Sequence, residues 1–148
     1  MKEKSIKIRV AVIVQKENAV LMIRHQKAEK TYWLLPGGGL EFGETITGCA
    51  VRELMEETGL CVRPGNLLFV CESLPPDGHR HVLNLFLHAE LLGGELALGD
   101  EEILAEARFV PMEEIPSLTI HPPIKSVLLD YLRSGKLPAE IMLGSMWD

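Results

Sequence analysis

The stretch Pro36-Gly37-Gly38-Gly39-Leu40-Glu41-Phe42-Gly43-Glu44, followed by the carboxylate cluster Glu53-Leu54-Met55-Glu56-Glu57, decides how this chain reads. On a helix, Glu56 and Glu57 lie three and four positions beyond Glu53, which puts all three carboxylates on one side with Cβ atoms roughly 5–6 Å apart. Like charges at that separation repel unless a positive charge sits among them. A divalent cation with a preference for oxygen ligands, magnesium or manganese, would supply it. The glycine-rich segment reads as a turn that brings backbone close to the metal or a ligand. The bland alternative is a solvated acidic helix face.

Working outward, residues 45–58 carry the helical pattern. Ala50 and Leu54 are spaced to face a core, and the glutamates occupy the adjacent face. Gly59 supplies a C-terminal cap, because it adopts positive φ without strain, and Leu60 can then pack back on the last turn. Upstream, residues 6–15 and 19–24 read as two strands joined by a polar turn at Lys16-Glu17-Asn18. Residues 26–31 read as a polar loop, with Tyr32-Trp33-Leu34-Leu35 as an apolar lead-in to Pro36. Downstream, residues 67–72 and 82–91 are predicted strands separated by Pro75-Pro76-Asp77-Gly78, and residues 105–110 add another. Apolar spacing at Ile124, Val127, Leu128, Tyr131 and Leu132 predicts a second helix over residues 123–134. The two helices can cover opposite faces of a mixed sheet.

With 148 residues, 47% hydrophobic, the chain suits one domain, residues 1–148, with a substantial core. A formal net charge of -6 argues against a broad nucleic-acid surface or a stable nucleic-acid partner, while leaving room for a local basic pocket that holds a small phosphorylated ligand. Cys49, Cys61 and Cys71 have neither disulfide-framework nor zinc-site spacing, which fits a reducing cytoplasm. No run of signal-peptide or membrane-span length is present, so membrane attachment is not expected. The tail, residues 136–148, is more apolar than a free tail requires and is expected to dock on the domain or on a second copy in a homodimer.

Gly38, five residues, Glu44, seven residues, then Arg52-Glu53-Leu54-Met55-Glu56-Glu57-Thr58-Gly59-Leu60 resembles the signature of the Nudix hydrolases, with every fixed position present across 23 residues. The resemblance implies an α/β fold, a Nudix-like α/β/α sandwich with a mixed central sheet. It also implies metal-dependent hydrolysis of a nucleoside diphosphate linked to another group. It assigns Glu56 and Glu57 as metal ligands, Glu53 as a further ligand or water-positioning group, and the Gly38 carbonyl as a completing ligand. Arg52 would orient the cluster by pairing with Glu44 or Glu56. Glu101 and Glu102 lie where relatives carry another catalytic carboxylate, against the alternative of an exposed acidic turn.

Other candidates rest on residue type. Arg24 could meet a terminal phosphate or form a solvent salt bridge, and Lys27 and Lys30 are weaker candidates of the same kind. Trp33 could stack on a nucleobase, whereas Phe42 and Phe69 default to the core. His79 and His81 are read as a solvated turn with phosphate contact as the alternative, and Glu41 as a residue facing water. No phosphate loop, dinucleotide fold or Ser-His-Asp set is present, so water is the expected nucleophile. The substrate expected from the resemblance is a nucleotide or nucleotide sugar, ADP-ribose favoured. Nucleoside triphosphates, dinucleoside polyphosphates, the 5′ end of RNA, or a noncatalytic nucleotide-binding role are the alternatives.

Overall fold

The computed structural model describes residues 3–147; residues 1, 2 and 148, at the ends of the predicted domain, lie outside it. The chain builds β1 (Lys7–Ile13), β2 (Gln15–Lys16), β3 (Ala19–Lys27), β4 (Lys30–Leu34), β5 (Gly37–Gly39), α1 (Ile46–Thr58), β6 (Leu60–Ser73), β7 (Val82–Gly94), β8 (Leu104–Pro111), a 3₁₀ helix (Met112–Ser117), α2 (Lys125–Ser134) and β9 (Met142–Ser145). One sheet runs β5-β1-β7-β6-β9 and is mixed, since β1 is parallel to β7 and β9 to β6 while the other pairs are antiparallel. A second, antiparallel sheet joins β2, β4 and β8 to β3.

Strand β1 shows why the helices lie on opposite sides. Its side chains alternate between faces, and Val10 and Val12, with Val14 just beyond the strand, pack in one cluster with Cys49, Ala50 and Leu54 of α1. Ala11 and Ile13 pack in the other with Leu128, Leu129 and Leu132 of α2. A run of apolar residues buried on both faces is what a strand sandwiched between two layers demands. The α/β/α arrangement read from the sequence is present, with the second sheet completing it.

Three local expectations give way to different structure. Residues 26–31 are the closing end of a hairpin, with Gln26 opposite Thr31 and Lys27 opposite Lys30, and Ala28 turning at φ 54°. Backbone pairing at an exposed edge needs no apolar side chains, so polarity there was a poor guide. The glycine segment is partly strand: Gly37, Gly38 and Gly39 pair antiparallel with Ala11, Val10 and Arg9. A Cβ at Gly37 would collide with the Val10 carbonyl, so glycine is what allows β5 to lie this close. Strand β6 begins at Leu60, well before residue 67, because bulges at Cys61/Val62 and Pro64/Leu67 carry the ladder past Pro64 and Gly65.

The remaining boundaries move by a few residues. Helix α2 starts at Lys125, after Pro122-Pro123. The tail docks on its own domain, where Met142 and Ser145 pair with Val70 and Glu72. Phe69 is buried against Phe86 with ring centroids 4.7 Å apart, as expected of a core side chain. Phe42 is the reverse, fully exposed on the loop before Gly43.

Candidate active site

Helix α1 is fixed at both ends. Thr45 caps its start by accepting the Gly48 amide at 3.0 Å. At its end Gly59 turns at φ 73° and returns its N–H to the Met55 carbonyl. The segment after β7 then donates Ala97 N–H to Thr58 O at 2.8 Å and Gly99 N–H to Glu57 O at 3.0 Å, satisfying carbonyls that a helix end leaves open. A Cβ at Gly99 would meet the Glu56 carbonyl, so this approach also requires glycine. The contact brings the segment that carries Glu101 and Glu102 to the end of α1.

Arg52 is the hub of the cluster. Its Nε and Nη2 grip both oxygens of Glu44 at 2.7 and 2.9 Å, Nη1 donates to Glu53 at 2.8 Å and to Glu56 at 3.3 Å, and Nη2 also donates to the Gly39 carbonyl at 3.0 Å. The paired fork is the strong form of this contact. It holds the Glu44 carboxyl down at about 2 and raises the guanidinium in turn. Sequence reading offered Glu44 or Glu56 as the partner; both are engaged, and Glu53 with them. Glu41 sits at the margin, 3.9 Å from Arg52.

Glu53 and Glu57 are 8% and 6% exposed, whereas Glu56 lies in solvent. Burial raises Glu53 against the pull of Arg52, and raises Glu57 to about 7 against the Gly37 amide, which donates to Glu57 Oε1 at 2.7 Å, and the nearby Arg9 cation. A Cβ at Gly38 would fall within the Glu53 carboxylate, so the glycine leaves room for that group beside the Gly38 backbone. Among the described residues no three acidic, histidine or cysteine side chains converge on one metal position; Arg52 bridges Glu53 and Glu56, and Glu57 rests on Gly37. The chemistry of the donors nonetheless fits a hard cation: carboxylates and carbonyls. Cys49, whose thiol donates weakly toward the Gly38 and Gly39 carbonyls, is pushed up to about 11 by burial and stays protonated, so it is no soft ligand.

The two distal candidates separate. Glu101 acts electrostatically on both Glu53 and Glu57, while Glu102 acts on neither among their principal influences. Arg24 is held by Glu106 at 3.1 Å, the salt-bridge alternative. Trp33 is 7% exposed, part of the core cluster, with the Arg108 guanidinium 5.1 Å from its ring centroid. A ring packed in this way offers no open face to a base, which corrects the stacking expectation.

Arg9 is the residue the sequence reading passed over. It extends from β1 to the Leu35 carbonyl at 2.7 Å, where the chain crosses from β4 to β5. Burial lowers its pKa, while Glu57 and Glu53 hold it up. A lone arginine inside an apolar strand was the available signal.

A helix that carries two buried carboxylates and one exposed carboxylate, held by one arginine against a glycine strand, sits on the sandwich fold described above. The NUDIX domain model matches residues 6–131. The chain is 35% identical over 122 residues to the ADP-ribose pyrophosphatase of Methanocaldococcus jannaschii, covering 82% of this chain and 70% of that protein. It is 31% identical over 121 residues to the NAD-capped RNA hydrolase NudC of Photobacterium profundum, covering 82% of this chain but only 44% of that longer protein. The crystal structure of a NUDIX hydrolase from Nitrosomonas europaea superposes with a TM-score of 0.78 at 27% identity, covering all of this chain and 82% of the other. This chain belongs to the NUDIX family and is a pyrophosphohydrolase of nucleotide-derived substrates.

Proposed function

We propose that the protein hydrolyses the pyrophosphate linkage of ADP-ribose or a related nucleotide sugar, releasing AMP and ribose 5-phosphate from the former, with magnesium as cofactor and manganese as a substitute. The observation that carries the substrate reading is the identity to the M. jannaschii enzyme across most of both chains. In this reading Glu53, Glu56, Glu57 and the Gly38 carbonyl hold the cation. The bound cation supplies charge neutralisation of the phosphate oxygens and lowers the pKa of a water. Arg52 keeps the carboxylates gathered and Glu101 positions the attacking water, a role that needs reach before basicity. The buried Glu57 must be ionised to bind a cation, which ties metal affinity to pH near neutrality.

Arg9 adds a buried positive charge near the cluster, which offsets the two buried glutamates. Three unpaired cysteines fit a reducing cytoplasm, and among the described residues no helix is long and apolar enough to cross a membrane. The test is a panel of ADP-ribose, nucleoside triphosphates, dinucleoside polyphosphates and 5′-triphosphorylated RNA, assayed with magnesium and resolved by chromatography. AMP and ribose 5-phosphate as the dominant products support the proposal. A nucleoside monophosphate plus pyrophosphate from a triphosphate, at higher kcat/KM, transfers it to the triphosphate branch.

A further inference from the structure

At the start of β1 and β7, away from the carboxylates, a cavity of about 770 Å³ is lined by Lys4, Lys7, His79, Arg80 and His81, with Glu3 as the single carboxylate in its lining. The volume lies in the range of small-ligand sites. In a chain of net charge -6 this concentration of positive charge runs against the bulk. The two histidines are already engaged, His79 by Asp77 and His81 by Glu72 at 3.2 Å. Lys4, Lys7 and Arg80 form no ion pair among the described residues; Arg80 lies over the Trp147 ring, 6.0 Å from its centroid. The Lys7 amide donates to the His81 carbonyl at 3.0 Å, so the strand and the turn that line the cavity are held together.

Strand geometry relates this cavity to the carboxylate cluster. Val10 pairs with Gly38, and Lys7 stands three residues earlier on the same strand. At about 3.3 Å per residue the separation along β1 is about 10 Å, the span of one nucleoside unit. Lys7 and Arg9 share a face by alternation. Arg80 acts on Arg9, and Arg9 in turn on Glu57 and Glu53. Arg9 therefore lies within electrostatic range of both Arg80, in the cavity lining, and the carboxylate cluster.

We propose that this cavity is a second anion subsite, which receives a phosphate group carried by the substrate about one nucleoside length from the linkage that is cut. The inference rests on the reading of Glu53, Glu56 and Glu57 as the reaction centre. It deepens the proposed substrate class: a nucleotide sugar with an additional remote phosphate is preferred over one without. Lys7 and Arg80 supply charge-assisted hydrogen bonds to the phosphate oxygens. Lys4 adds a point charge at the rim.

The experiment has two arms. In the first, the full chain in chelator is titrated with inorganic phosphate while backbone amides are followed by NMR. Shifts confined to Lys7 and residues 78–81 are expected, and they should be lost in Lys7→Gln/Arg80→Gln. In the second, kcat/KM is measured with magnesium for ADP-ribose 2′-phosphate and for ADP-ribose, in the wild type and in the single variants Lys7→Gln and Arg80→Gln, with circular dichroism as the check on folding. The ratio between the two substrates should fall roughly tenfold in each variant, the size of one lost charge-assisted hydrogen bond. Absent or dispersed phosphate shifts, or an unchanged ratio, overturn the subsite. Turnover of neither compound, with local phosphate shifts retained, overturns the nucleotide-sugar reading and leaves the anion subsite standing.

Discussion

Glu57 is almost out of water and still expected to carry charge. Its pKa in the folded chain, about 7, lies above the ordinary 4.5, so in metal-free protein this residue's contribution to stability is intact below about pH 4.5 and is lost as pH rises through 7. Glu57→Gln keeps an oxygen for the Gly37 amide and removes the buried charge. Thermal melts in chelator should show it stabilised at pH 8, by on the order of 2–3 kcal/mol, and nearly unchanged at pH 4.5; a pH-independent difference would contradict the burial argument. Its turnover should be largely lost. Arg52→Ala is expected to lower metal affinity or turnover by roughly 10- to 100-fold, the usual scale for a group that orients ligands, and calorimetric metal titration beside kinetics checks it. Glu101→Gln should reduce kcat by about 100-fold with little change in KM, and Glu102→Gln should change neither; equal effects from the two would remove the distinction drawn from their positions. The spacing of Arg52, Glu53, Glu56 and Glu57 was legible because helical geometry ties sequence separation to direction. Which of the two distal glutamates acts electrostatically on the cluster was not, because that depends on Gly99 meeting the end of α1, a contact more than forty residues from its partners in the chain.

At the level of elements, close approach decides what a pattern cannot. Strand β5 has no hydrophobic periodicity at all; its three glycines pair with β1, and a Cβ would meet the β1 backbone at Gly37 and the Glu53 carboxylate at Gly38. Glycine signals conformational freedom and close packing alike, so in the sequence these three residues read as a turn. The hairpin of β3 and β4 was hidden for a similar reason, its closing residues being polar and solvent-facing. Strongly periodic segments were read well: α1 and α2 stand within two residues of their predicted bounds at each end. Gly99→Val tests the role of the contact between α1 and the segment after β7. A side chain there must push the segment off the Glu56 carbonyl, so the variant should lose turnover through displacement of Glu101 while far-ultraviolet circular dichroism stays near that of the wild type. Retained kcat would show that the contact does not set the position of Glu101.

For the whole molecule, β9 closes one margin of the mixed sheet by pairing with β6. A chain ending at residue 139 would leave β6 as an open edge, with its unpaired N–H and C=O groups free to pair with another molecule. Lower thermal stability and a concentration-dependent rise in mass by light scattering are expected of it; a stable monomer would contradict the closing role. The layer order was legible from the apolar spacing of two helices and from the signature's resemblance, but the second sheet was not, because which strands neighbour one another is settled by pairing between distant segments. Strand β1 lies inside that architecture, with Val10, Ala11, Val12 and Ile13 wholly inaccessible and partners on both edges. Placed in deuterium oxide, the amides of Val10 to Ile13 are expected to exchange only when the entire domain opens, whereas those of β2 and β9 at the margins can fray singly. The strand that backs the glycine segment is thus also the internal clock of global unfolding, and a ligand that binds the folded chain should slow exchange along β1 in direct proportion to its occupancy term.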